Sequence, residues 1–284
     1  MTVALKLDLL PNDAGWQASL SLRFEHRPAQ ARTVPVHISH TGPLRVQRPF
    51  HPEGDVCHVY ILHPPGGVVG GDGLQIDARC APDARALLTT PGATKFYRSA
   101  GATARVRQQL YVQAQASLEW LPQENIFFPG AQVDMGTDIH LSSSAQLVAW
   151  EINCLGRPVI GERFDEGKLR TRLRVFVDGQ PLLIENQRIS CTRHLSAAAG
   201  LRDAAVQGVL VAWRVDEQLA QDVQQHLADT PEILAGATLI DGLLVVRALA
   251  NNAERLRALL ADVWQLLRVQ LISRPAVLPR IWAT

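Results

Sequence analysis

The chain has 284 residues, 47% of them hydrophobic and 19% charged, with a formal net charge of +1. That length can bury a large core, as one big domain or two small ones. The near-neutral balance excludes the broad basic footprint of a nucleic-acid or membrane-surface binder, and no run approaches the ~20 apolar residues of a membrane-spanning helix.

The opening segment MTVALKLDLLPND carries Asp8 and lacks a long apolar core, so no secretory signal peptide is expected. Residues 16–25 alternate strictly: Trp16, Ala18, Leu20, Leu22 and Phe24 face one way and polar residues the other, which predicts a half-buried strand. Strand-like runs follow at 34–38, 56–62, 73–80, 86–89, 102–111 and 116–121, then at 139–141, 146–155, 169–177 and 180–189. Asp178-Gly179 between the last two is a hairpin signal. Short strands separated by turn residues predict a mostly antiparallel β body over about residues 15–200.

The pattern changes over about residues 201–284. A strand at 206–213 precedes Val215, Leu219, Val223 and Leu227, a helical stripe with Asp216 near its start. Strands at 238–240 and 243–250 flank Asp241-Gly242. Asn252 then reads as the N-cap of a longer helix carrying Leu256, Leu259, Leu260, Val263, Leu266 and Leu267, which Pro275 ends. The fold class is therefore mainly β with an α+β C-terminal part bearing two amphipathic helices. No polar linker divides the two parts, so residues 1–284 read as one domain. Cys57, Cys80, Cys154 and Cys191 form no CxxC pair, which fits a reducing cytoplasm and argues against a zinc knuckle.

Residues 63–98 hold the densest local signal, HPPGGVVGGDG followed by TTPGATKFYR. Glycine and proline at this density fix a particular loop shape. The loop is not a phosphate cradle: Gly66-x4-Gly71 has the first spacing of a P-loop, but Asp72 and Gly73 stand where Lys and Ser or Thr belong. Three carboxylates stand out. Asp72 sits at the glycine corner, and Glu151 and Glu185 interrupt apolar strands. Period two puts Glu151 on a face with Ala149 and Asn153, opposite Val148, Trp150, Ile152 and Cys154. A buried carboxylate needs a charge partner or a cation. Two readings follow: ordinary pairing with Arg98, Arg157 or Arg188 or a solvent-facing strand side, with Asp72 a turn residue, or a polar path or cation site inside a β protein.

His26, His37, His40, His51, His58 and His63 crowd the first part of the chain, with Cys57 beside His58. Imidazole and thiolate suit borderline metals such as nickel, although His37 and His40 on a strand point to opposite faces. No G-x-S-x-G elbow occurs, and Glu119 and Glu124 are a weak acid–base pair. The absence of a nameable catalytic apparatus favours binding or assembly over turnover.

Five motifs in order, HPPGGVVGGDGL (63–74), TTPGATKFYRS (89–99), LEWLPQENIFFPGA (118–131), WEINCLGRPVIGE (150–162) and VLPRIWAT (277–284), resemble the urease accessory protein D family, UreD or UreH, over essentially the whole chain. The resemblance implies a maturation factor without catalytic activity. Such a protein binds the urease apoprotein and the F accessory protein, which recruits the GTPase accessory protein G, and nickel reaches the urease active site through the assembly. It also implies strands wound in helix-like turns, two helices near the C-terminus, and two copies joined in a hetero-oligomer through the F protein. An exposed apolar surface for these partners is expected. The family's internal water-filled tunnel carries over to Asp72, Thr94, Glu151 and Glu185. Nickel there would be transient cargo, because carboxylate and water oxygens hold a divalent cation loosely. The alternatives are an independent nickel-storage protein built on His51, Cys57, His58 and His63, and a hydrolase with a β body.

Overall fold

The structure, a computed structural model, describes residues 15–283. β1 (Gln17–Arg27) and β2 (Arg32–Thr41) form a hairpin, and β3 (Arg45–Val46) pairs with β4 (Cys57–Leu62). The chain then repeats one course. β5 (Gly73–Cys80), β6 (Arg85–Thr89) and β7 (Thr94–Phe96) make one turn, and β8 (Ala104–Val112), β9 (Ser117–Trp120) and β10 (Asn125–Phe127) make the next. β11 (Gln132–Leu141) and the long β12 (Gln146–Arg157) make a third, the far end of β12 standing beside β10. β13 (Glu162–Arg163) folds back on β12, and β14 (Lys168–Val177) and β15 (Gln180–Ile189) close the winding with a hairpin. The C-terminal part runs α1 (Thr192–Ser196), β16 (Val206–Trp213), α2 (Glu217–Ala228), β17 (Leu234–Ile240), β18 (Leu243–Ala250) and α3 (Ala253–Leu271).

Successive strands of the winding lie in opposite sheets. The first sheet has the order β15-β14-β11-β8-β5-β1-β2, and the second β17-β18-β16-β12-β9-β6-β4-β3. Strands one turn apart run the same way, so β1, β5, β8, β11 and β14 pair in parallel, as do β4, β6, β9 and β12. A third, narrow row joins β7, β10 and the end of β12. The mainly β class and the wound strands agree with expectation. The expectation of mostly antiparallel pairing does not hold in the middle of the sheets. It assumed that neighbours in sequence pair as hairpins, whereas here each strand pairs with one a full turn away. Antiparallel pairs occupy the sheet margins, including the Asp178-Gly179 and Asp241-Gly242 hairpins, whose residues all have positive φ.

Two cores result. Between the sheets lie the inward faces, including Leu20, Leu22, Phe24, Leu88, Leu110, Leu118, Ile139 and Val245. Trp16, expected on the inward face of β1, precedes the strand and is 69% exposed. The outward face of the second sheet, with Val148, Trp150, Ile152 and Leu210, packs against α2 and α3. Both helices start as their caps dictate. Asp216 Oδ1 accepts from the Leu219 N–H at 2.8 Å, and Asn252 Oδ1 from the Arg255 N–H at 2.9 Å.

The helical layer is fastened by a buried ionic cluster that sequence reasoning missed. Arg268 of α3 is fully buried and donates from Nε to Glu119 Oε1 of β9 at 2.8 Å; its Nη2 lies 2.6 Å from Glu53 Oε2. Trp264 Nε1 donates to the same Glu119 oxygen at 2.6 Å, and Glu53 Oε1 is 2.6 Å from His58 Nε2. Arg268 Nη1 also donates to the Pro275 carbonyl, holding the chain just beyond the helix. Trp282 completes the junction: its ring packs on Trp150 and Trp264, and its N–H donates to Thr89 Oγ1 at 2.9 Å.

Removing one member of such a cluster leaves a buried charge uncompensated, so Arg268→Met is expected to cost about 3–5 kcal/mol. Loss of the cap in Asn252→Ala should cost about 1 kcal/mol, and urea unfolding compares the two. Burial alone would raise the Glu53 carboxyl, but hydrogen bonds with His58 and Arg268 outweigh it and hold it below the ordinary 4.5. Its stabilisation is thus present above pH 4.5 and lost as pH falls through the depressed value. Glu53→Gln should flatten that acid limb in unfolding curves measured across pH.

Candidate functional site

The two motif segments singled out in the sequence meet in space. Val68 forms a parallel bridge with Phe96, its N–H donating to the Lys95 carbonyl at 2.7 Å, and the Tyr97 hydroxyl donates to the Gly66 carbonyl at 3.0 Å. Glycine is required at Gly67, where a Cβ would stand 2.3 Å from the Tyr97 ring, and at Gly71, which has φ +92°. Asp72 pins this loop. Its Oδ1 accepts from the Trp16 N–H and its Oδ2 from the Val69 N–H, both at 2.9 Å. The loop, with Thr90, Pro91 and β7, walls a cavity of about 210 Å³. This is room for several waters at about 30 Å³ each.

A second cavity, of about 790 Å³, opens between β14 and β15 on one side and β16, β17 and β18 on the other. Glu151 lines both cavities. Thr94 lines the smaller and Glu185 the larger, while Asp72 lines neither. The four carried-over residues therefore divide: Thr94, Glu151 and Glu185 border one or both cavities, and Asp72 is a buried loop anchor that borders neither.

The winding explains why polar side chains collect here. In the first sheet one inward row runs Ile76, Gln108, Thr137, Leu173 and Glu185, each in register with the next. In the second, Glu151, Val209 and Arg247 are in register. Residues of equal parity at one level of a stack of parallel turns share a face, so a polar residue repeated from turn to turn draws a polar file along the axis. The file is hydrogen-bonded. Asn125 Nδ2 donates to Asn153 Oδ1 at 3.1 Å, Asn153 Nδ2 to Glu151 Oε1 at 2.7 Å, and Thr137 Oγ1 to Gln108 Oε1 at 3.1 Å. Gln187 and Gln207 bond each other at the wall of the larger cavity. Burial pushes the Glu151 carboxyl up; hydrogen bonds with Asn153 and Thr137 oppose this, and the charge of Glu185 adds to it.

Of the three arginines expected to pair with these carboxylates, Arg98 and Arg157 are engaged elsewhere and Arg188 stands exposed opposite Arg170. Arg98 pairs with Glu166 and Arg157 with Glu162. The partner of Glu185 is Arg247, reaching from β18 across the gap between the sheets. No short-range pattern links residues 62 positions apart, so only the topology could reveal this pair. The early histidines do not assemble. His58 is buried against Glu53, and His51 Nε2 lies 2.6 Å from the Thr33 carbonyl. Cys57 faces the other side of β4, its thiol pushed by burial up to about 12. Among the described residues, no three His, Cys, Asp or Glu side chains group as metal ligands, and no helix is long and apolar enough to cross a membrane.

Comparison with known proteins places this architecture. The family profile described as UreD urease accessory protein matches residues 17–283. The urease accessory protein UreD of Alcanivorax borkumensis is 51% identical over 276 residues, covering 95% of this chain and 93% of the relative. That of Klebsiella aerogenes is 49% identical, covering 97% and 100%, and that of Aliivibrio fischeri strain ES114 is 43% identical, covering 96% and 98%. With profile and relatives spanning nearly its whole length, the chain belongs to the UreD family of urease accessory proteins.

Proposed function

We propose that this chain acts in urease maturation as a scaffold without catalytic activity. It binds the urease apoprotein and the F accessory protein, and it conducts nickel delivered by the GTPase accessory protein G toward the urease active site. The observation that carries the reading is the position of Glu151, which borders both cavities within a hydrogen-bonded polar file. Nickel is cargo here. Carboxylate, amide, hydroxyl and water oxygens bind a divalent cation weakly and release it, whereas grouped imidazoles and thiolates would retain it. Glu151 supplies negative charge, Glu185 a carboxylate shared with Arg247, Thr94 and the asparagines neutral oxygens, and Asp72 the loop geometry at the smaller cavity. Leu266 and Val269 of α3, with Val277 and Leu278 beyond it, are exposed apolar residues suited to partner contact.

Urease apoprotein reconstituted with nickel, the F and G proteins, GTP and bicarbonate should gain activity only when this chain is added. Equal activation without it would overturn the reading. Glu151→Ala should lower the nickel content of urease while the accessory complex still forms on a sizing column; intact complexes with undiminished loading would refute the route.

The raised Glu151 carboxyl also fixes a sign. Its stabilisation is present below the ordinary 4.5 and lost as pH rises through the raised value of the folded protein. Wild type should therefore melt progressively below Glu151→Gln as pH increases, a difference read by thermal unfolding across pH.

A further inference from the structure

The outer face of the first sheet carries a charge arrangement that the fold does not need. One outward row runs Arg105, Asp134, Arg170 and Arg188 across β8, β11, β14 and β15. The next runs Arg107, Gly136, Arg172 and Asn186. Among the described residues, Arg107, Arg170, Arg172 and Arg188 share these two rows with one acid, Asp134, within four strands, a width of about 15 Å at ordinary strand spacing; Asp138, one row further along β11, is paired with Arg174. Asp134 is committed, since its Oδ2 accepts from Arg107 Nη2 at 2.9 Å while its Oδ1 has no donor. Arg170 and Arg188 are exposed and directly opposed on neighbouring antiparallel strands, an arrangement of like charges that destabilises a sheet. Arg172 lies over Gly136, its Nε buried without an acceptor. Burial, then the charges of Arg174 and Arg107, push its guanidinium below the ordinary range. Helices α2 and α3 pack on the other sheet, so among the described residues no helix covers this face.

We propose that this arginine face, centred on Arg170, Arg172 and Arg188, is a docking surface for an acidic segment of a partner protein. Guanidinium forks match carboxylates two bonds at a time, and an acidic partner would relieve the repulsion within the rows and give the Arg172 Nε its acceptor. Arg170 and Arg188 stand on the flat outside of a sheet, and only Arg172 also borders the larger cavity, so the face fits a protein surface better than a small anion. Outside it, Arg98, Arg157 and Arg163 have acidic partners, and the whole chain carries only +1, which disfavours a nucleic acid. The inference stands apart from the nickel route and from which protein supplies the acids.

The test is fluorescence anisotropy of the full chain with a labelled oligo-glutamate peptide and, in parallel, a labelled oligothymidylate of equal charge. Arg170→Gln combined with Arg188→Gln should weaken peptide binding about ten-fold, because two charge-assisted contacts are lost. Arg163→Gln, a distant exposed arginine paired with Asp203, should leave it unchanged. The double variant should melt no lower than wild type, since it removes an opposed like-charge pair. Unchanged peptide binding in the double variant, an equal loss in Arg163→Gln, tighter binding of the oligothymidylate, or a lowered melting temperature would each overturn the proposal.

Discussion

The buried pairing of Arg268 with Glu119 and Glu53 is the contact on which the rest of the molecule depends. A guanidinium at 0% exposure is tolerated only if its charge and most of its donors are answered, and here two carboxylates and one carbonyl answer them. These partners reach helix α3 from three places: the loop before β4, strand β9 and the segment after the helix. The cluster therefore fixes the orientation of α3 on the second sheet, not merely its presence there. An apolar seam would tolerate sliding of the helix; a bidentate ion pair does not. With α3 fixed, Trp264 and Trp282 set the outer side of Trp150, and the neighbouring Glu151 is then aimed inward by the alternation of β12.

The winding supplies the second constraint. Stacking one strand of each turn on the same strand of the next turns a sequence alternation into continuous layers, apolar at most levels and polar at one. The apolar levels, with Leu110, Ile139 and Val175 in the first sheet and Leu147, Val211 and Val245 in the second, make the body stable enough to accommodate a polar level within it. Glu185 and Arg247 join the two sheets at the wall of the larger cavity. Their pairing also shows why a single acid in a strand is ambiguous in sequence, since its charge partner stands in the other sheet.

Local signals in the sequence were strong wherever the physics is local. Alternation in β1, the caps Asp216 and Asn252, and the two Asp-Gly hairpins need only neighbouring residues to be read, and each is present as expected. Parallel pairing was not legible, because it joins residues a full turn apart and leaves no short-range mark. β7 and β10 escaped notice as strands of only three residues. The inward face of Glu151 could be derived from period two, but Glu119 looked like half of a weak acid pair because its partner lies 149 residues away in α3. Asp72 was legible as a special residue, and the reading of it as a turn residue describes its bonds.

Glu119 and Glu151 show how one body can hold carboxylates to opposite ends. Both lie in the second sheet, two strands joined by parallel pairing. Glu119 points outward into the helical layer, where Arg268 and Trp264 surround it and leave no space. Glu151 points inward, where its neighbours are amides, a hydroxyl and two cavities, and where its carboxyl is held up by burial rather than down by a cation. A carboxylate answered by a fixed guanidinium serves as a structural joint. One answered only by neutral dipoles and water remains open to a mobile cation, because a divalent ion entering the cavity gains a charge that no arginine already neutralises. The parity of a single residue along a strand therefore separates the joint that holds this fold from the site that its function is proposed to use.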